Sequence, residues 1–167
     1  MNPTQPAADY RISVKPLLYR VGETKQLDLT IDGNTATDYG LPCTELPCIS
    51  GKLENQAGVL FLRYHVRCIP LAECARCLSP VQTTLEEDFE HVVVTETASE
   101  ENDSEYLLAS DAMLDLAEVV MTDIRLSLPS KTLCSPDCKG LCPVCGCNRN
   151  ESECGGDSEG ITFSTEL

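Results

Sequence analysis

The chain has 167 residues, 42% of them hydrophobic, which allows one ordinary domain with at most a small appendage and excludes wholesale disorder. Aromatic residues make up 5% and Trp is absent, so an aliphatic core is expected. A net charge of −15 disfavours general binding of a phosphate backbone, which Lys and Arg hold through counterion release. No apolar run approaches the ~20 residues of a spanning helix. The opening MNPTQPAADY lacks the features of a secretory signal or a transit peptide, so a cytoplasmic location is expected.

From residue 10 to 94 the pattern is that of strands. Short strands are expected at 10–15 and 26–31, followed by a loop at Asp32-Gly33-Asn34. Asn55-Gln56-Ala57-Gly58 reads as a turn joining Lys52–Glu54 to a strand over 59–68. There Leu60, Leu62, Tyr64, Val66 and Cys68 alternate with Phe61, Arg63, His65 and Arg67, the period-two pattern of a half-buried strand. Val81, Thr83, Leu85, Phe89 and Val93 repeat it, with Glu86, Asp88 and Glu90 on the opposite face. Strands without intervening helices predict an antiparallel sheet, partly curled towards a barrel.

Residues 95–106, TETASEENDSEY, are polar and acidic and read as a mobile loop. A helix is then predicted over about 111–126, with Ser110 as N-cap and Asp111 in its first turn. Met113, Leu116, Ala117, Val120, Met121 and Ile124 form its apolar face, packed on the sheet. Asp115, Glu118 and Asp123 are placed elsewhere on the helix, and Pro129 stops it. The expected fold is therefore α+β, with a domain over 1–130 and a small Cys-rich, zinc-binding tail over 131–167.

The charge is unevenly distributed. Residues 1–85 carry eight basic and eight acidic side chains, 86–123 thirteen acids and no Lys or Arg, and 124–167 four basic and six acidic. Such a block attracts a basic protein or simply solvates the surface.

Eleven cysteines is an odd number for a disulfide framework, and clustered thiols in a reducing compartment bind metal more often. Leu141-Cys142-Pro143-Val144-Cys145-Gly146 has the form of a zinc knuckle, in which two thiolates two residues apart grip one ion and the Gly lets the backbone turn around it. Tetrahedral closure needs two more sulfurs. Cys138 and Cys154 are the expected partners, Cys134 competes as the fourth ligand, and Cys147 is read as a bystander. One structural zinc ion is thus expected, supplying folding free energy to a tail too small to bury its own core.

Cys74-Ala75-Arg76-Cys77 reads as a thiol pair in a strand turn. A second metal site built with Cys43, Cys48 or Cys68 is the alternative. A redox motif would need a helix directly after the pair, whereas Leu78-Ser79-Pro80 leads into a strand. With only His65 and His91 and no nucleophile–base arrangement, no catalytic residues are assigned and no enzyme is expected.

Cys74-Ala75-Arg76-Cys77-Leu78 resembles the C-x-R-C-L signature of the YceD family. The run from Cys134 through Cys138 and Cys142 to Cys145-Gly146 resembles the C-terminal motif of many members, with Asn148 and Asn150 in its N-x-N and Cys154 as the next cysteine. Many relatives continue C-x-C, whereas Cys154 is followed here by Gly155-Gly156. The resemblance implies a non-enzymatic ribosome-biogenesis factor supporting accumulation of large-subunit ribosomal RNA in bacteria and plastids, with metal in a structural role. The partner is expected to be a ribosomal protein or pre-large-subunit particle, with no DNA or membrane involved. A weak, local RNA contact through Arg63, His65 and Arg67 is the second route, and a thiol oxidoreductase using Cys74 and Cys77 the alternative function.

Overall fold

In the computed structural model, which describes residues 9–95 and 106–152, the longest strand lies where the alternation is strongest. β3 (Cys43–Gln56) and β4 (Val59–Glu73) form an antiparallel hairpin, with Leu53 opposite Leu62 and Ile49 opposite Val66. The turn between them has two residues, Ala57 at φ 52° and Gly58 at φ 92°, the left-handed pair that matches the strand twist. Asn55, buried just before it, donates from Nδ2 to the Leu17 carbonyl at 2.6 Å and accepts from the Gly58 amide at 2.8 Å. Gly51 faces Tyr64 across the pair, and a Cβ there would stand 2.3 Å from the Arg63 carbonyl oxygen, so no larger residue fits without parting the strands.

The remaining strands are β1 (Arg11–Ser13), β2 (Thr24–Thr30), β5 (Pro80–Gln82), β6 (Leu85–Val94), β7 (Tyr106–Leu108) and β8 (Met113–Asp115). The main sheet is ordered β2-β3-β4-β6-β7, with β5 paired to β4 off this path, while β1 and β8 form a separate antiparallel pair. The α+β class is as expected, with two corrections. The sheet is open and not barrel-like: β2 and β7 are its edges, and a three-residue β7 offers too few bonds to carry the sheet round to β2. It is also not wholly antiparallel, because β7 runs parallel to β6.

Among the described residues three α-helices accompany the strands. α1 (Lys15–Leu18) is a single turn started by Pro16. α2 (Gly33–Asp38) occupies the place where a loop was expected, because Asp32 accepts from the amides of Asn34 and Thr35 and so caps a helix. α3 (Leu116–Ser127) begins later than predicted. Ser110 and Asp111 lie in a short 3-10 turn in which Asp111 has φ 53°, and Met113–Asp115 is drawn into β8 by pairing with β1. Asp115 is the cap, accepting from the amides of Ala117 and Glu118. The apolar face is buried through Leu116, Ala117, Val120, Met121 and Ile124, whereas Met113, outside the helix, is 38% exposed. Of the loop predicted over 95–106, residues 96–105 lie outside the described residues, and Tyr106 is the first residue of β7.

The described residues fall into two compact units, a larger one of 9–71 with 82–129 and a smaller one of 72–81 with 130–152. The core of the larger unit is aliphatic, centred on Leu53, Leu62, Val66, Leu116, Val120 and Ile124. The smaller unit is not the tail alone, since the segment holding Cys74 and Cys77 belongs to it. Its two segments are joined by the Ala75 amide on the Thr132 carbonyl at 2.8 Å and the Leu141 amide on the Arg76 carbonyl at 3.0 Å.

Candidate metal centre

Within the smaller unit, the pair at 74–77 does not stand alone. The sulfurs of Cys74, Cys77, Cys134 and Cys138 all lie within 4.8 Å of one another. Cys74 Sγ is 3.7 Å from Cys138 Sγ, and Cys77 Sγ is 3.5 Å from Cys134 Sγ. Those separations are far beyond a disulfide bond of ~2.05 Å. They agree with the edge of a tetrahedron drawn around an ion with metal–sulfur bonds of ~2.3 Å, which is about 3.8 Å. A C-x2-C pair and a C-x3-C pair, 57 residues apart between Cys77 and Cys134, thus build one four-thiol cage.

The backbone around the cage is shaped for thiolates. The Arg76 amide donates to Cys74 Sγ at 3.4 Å, and the Leu78 amide closes the turn on the Cys74 carbonyl at 2.9 Å. Leu78 takes φ 61°, the place a knuckle usually gives to Gly. Backbone amides of Cys134, Arg76 and Cys77 aimed at its sulfur bring the Cys74 thiol down to about 6. The nearby Ser79 hydroxyl lowers Cys77, whose sulfur stands 3.3 Å from it. Cys134, crowded by the thiols of Cys77 and Cys138, is pushed up to about 12. Four thiolates this close repel one another, so all four ionise together only around a cation.

A second layer holds the ligands. Asn150 Nδ2 donates to Cys138 Sγ at 3.2 Å, while its Oδ1 accepts from the Lys139 amide at 2.8 Å. Asn148 Oδ1 accepts from Asn150 Nδ2 at 2.8 Å. Arg76 Nη1 donates to the Cys138 carbonyl at 2.9 Å, tying the two ligand pairs together. The Arg of C-x-R-C and the two Asn of N-x-N are therefore parts of the cage that spacing alone did not mark as such.

The sequence reading grouped Cys138 with Cys142, Cys145 and Cys154. The geometry divides these cysteines differently: Cys138 and Cys134 join Cys74 and Cys77, while Cys142 and Cys145 form a second group with Cys147, read as a bystander. Cys154 lies outside the described residues. Cys43, Cys48 and Cys68 belong to neither group, and burial pushes the Cys68 thiol up to about 12, so it stays neutral. The thiol oxidoreductase alternative gains no support: Cys74 and Cys77 are buried, each beside a cysteine of the other pair, and β5 follows them where a redox motif needs a helix.

In the larger unit, the three side chains considered for an RNA contact are already engaged by carboxylates. Arg63 binds Glu54 and Glu90, His65 lies 3.0 Å from Asp88 and 3.5 Å from Glu86, and Arg67 is 3.8 Å from Glu45. A phosphate would have to displace these partners. Asp123, placed by sequence away from the apolar face, is instead buried, accepting from the Tyr64 hydroxyl with His91 Nε2 at 2.6 Å. Its spacing three residues after Val120 was the available signal.

Both pairs of the cage, with the second thiol group, fall inside one family match. Residues 62–164 match the family described as large ribosomal RNA subunit accumulation protein YceD. The chain belongs to the YceD family. An uncharacterized protein of Mycobacterium tuberculosis is 40% identical to it over 81 residues, covering 46% of this chain and 38% of the relative. An uncharacterized protein of Mycobacterium leprae is 32% identical over 81 residues, covering 46% of this chain and 36% of the relative. A maize protein called large ribosomal RNA subunit accumulation protein YCED homolog 1, chloroplastic, is 23% identical over 153 residues, or 74% of this chain and 52% of the relative. The match to these relatives thus spans between about a third and a half of their length. No solved structure matches the chain.

Proposed function

We propose that the protein supports accumulation of large-subunit ribosomal RNA as a non-catalytic assembly factor, by binding a basic ribosomal protein or the pre-large-subunit particle that contains it. The observation that carries this reading is the YceD match over 62–164. The pairing of Arg63, His65 and Arg67 with carboxylates favours a protein partner over a phosphate backbone. The chain's charge of −15 offers the complementary field. In the larger unit, Tyr64, Asp123 and His91 satisfy one another, which suits a structural role and not turnover. No helix among the described residues is long and apolar enough to cross a membrane, and a cytoplasmic site of action goes with ribosome assembly.

Metal in this reading is structural. Zinc fits the four-thiol cage, whose soft donors, sulfur–sulfur separations of 3.7 and 3.5 Å and amide-supported sulfurs suit a closed, all-thiolate site. Cys74, Cys77, Cys134 and Cys138 would hold it, and the ion would supply the folding free energy that a unit of this size cannot draw from apolar burial.

Affinity capture of the tagged protein from a lysate tests the function. Enrichment of large-subunit precursors that survives nuclease but falls as salt rises is the expected result, since exposed charges lose reach beyond a Debye length of ~10 Å at about 0.1 M salt. Capture of no ribosomal component would overturn the proposal. Capture abolished by nuclease would place the contact on RNA.

A further inference from the structure

We infer that Cys142, Cys145 and Cys147 hold a second zinc ion, so that the smaller unit is organised by two metal centres and not one. Their three sulfurs lie within 4.8 Å of one another, separate from the four-thiol group. The local backbone repeats the first knuckle bond for bond. The Val144 amide donates to Cys142 Sγ at 3.4 Å, as Arg76 does to Cys74 Sγ at 3.4 Å. The Gly146 amide meets the Cys142 carbonyl at 2.9 Å, as Leu78 meets that of Cys74 at 2.9 Å. Gly146 has φ 74° where Leu78 has φ 61°. Two segments with different residues between their cysteines share one conformation, and in both it turns an amide towards the first cysteine's sulfur, which must carry charge to bind metal.

Cys147 enters through a tight hairpin. The Cys142 amide bonds to the Cys147 carbonyl at 2.8 Å, and Leu141 bridges Asn148 in antiparallel fashion. That bridge returns the chain so that the third thiol stands beside the first two, which is why a cysteine following the knuckle so closely still joins it. Apolar packing does not account for the hairpin. Leu141 and Val144 are the only aliphatic residues of 139–150 apart from Pro143, and they are 36% and 72% exposed. A short segment that turns its aliphatic side chains outward needs another source of order, and three converging thiolates around a divalent, thiophilic ion supply it.

The inference is independent of the ribosomal reading and is tested on the full-length chain. Zinc content after purification under reducing conditions should be about two ions per chain. It should fall to about one, a twofold loss, in the double variant Cys142→Ser/Cys145→Ser, which leaves the four-thiol cage intact. Cobalt titration of the unmutated apoprotein needs no variant to fold. Its thiolate-to-cobalt absorption should rise to an end point near two equivalents. One zinc per chain with a cobalt end point at one equivalent overturns the inference, as does a double variant with undiminished zinc. A disulfide among the three cysteines, read as a mass two hydrogens lighter after isolation without oxidant, overturns it as well.

Discussion

Asp123 shows how much one side chain decides in this fold. It projects from α3 into the core of the larger unit, where it accepts from the Tyr64 hydroxyl and lies 2.6 Å from His91 Nε2. Burial and the neighbouring carboxylate raise the Tyr64 hydroxyl far above its ordinary range, so it remains a donor at any physiological pH. Tyr64 and His91 sit on neighbouring strands, and the carboxylate thereby clamps the helix to both β4 and β6. Replacing Asp123 by Ala leaves a buried hydroxyl without its acceptor and is expected to cost about 3 kcal/mol in denaturant unfolding. Tyr64→Phe alone should cost less, about 1 kcal/mol, because no donor is stranded in that variant. Additive losses in the double variant would show that the contact carries no coupling.

At the scale of the element, two caps test where the helices begin. Asp115 accepts from the amides of Ala117 and Glu118, whereas Ser110 lies within the 3-10 turn before β8 and does not stand at the start of α3. Asp115→Ala should therefore lose about 1 kcal/mol of stability, and Ser110→Ala close to none. The reverse order would restore a start near 111. Asp32 caps α2 with a carboxylate brought down from 3.8 to about 2, mainly by the Thr35 amide and hydroxyl, with the Tyr10 hydroxyl adding to them. A depressed folded-state value means that the stabilisation is complete above 3.8 and is lost as pH falls through about 2. The deficit of Asp32→Ala, about 1 kcal/mol at neutral pH, should accordingly shrink below that upper value and largely vanish at the lower one. Unfolding curves of both proteins across that range measure it.

For the molecule as a whole, the proposed reading gives the two units different sources of stability, aliphatic burial in the larger and a metal held by the thiol groups in the smaller. Removing metal with a strong chelator should strip hydrogen-exchange protection from the amides of Leu78, Leu141 and Gly146. The amides of Leu53 and Leu62, within the β3–β4 hairpin, should keep theirs. Simultaneous loss at both sets would mean that the larger unit depends on the ion too.

What the sequence determined by itself was whatever repeats locally. Alternation set the faces of β4, so that Leu60, Leu62, Tyr64 and Val66 are buried as read, and helical spacing set the inner face of α3. The C-x2-C pairs marked thiol groups able to hold a metal, and their motifs announced the YceD family. Tertiary structure decided which distant partners met. Met113–Asp115 is helical by pattern but becomes β8, because pairing with β1 satisfies its backbone. Cys77 and Cys134 are 57 residues apart, and spacing along the chain ranks nearby thiols as partners, whereas an ion selects sulfurs by distance in space. The same reason hid the engagement of Arg63, His65 and Arg67, whose carboxylate partners lie on adjacent strands. Periodicity records which way a side chain points, and only the folded chain records what it meets.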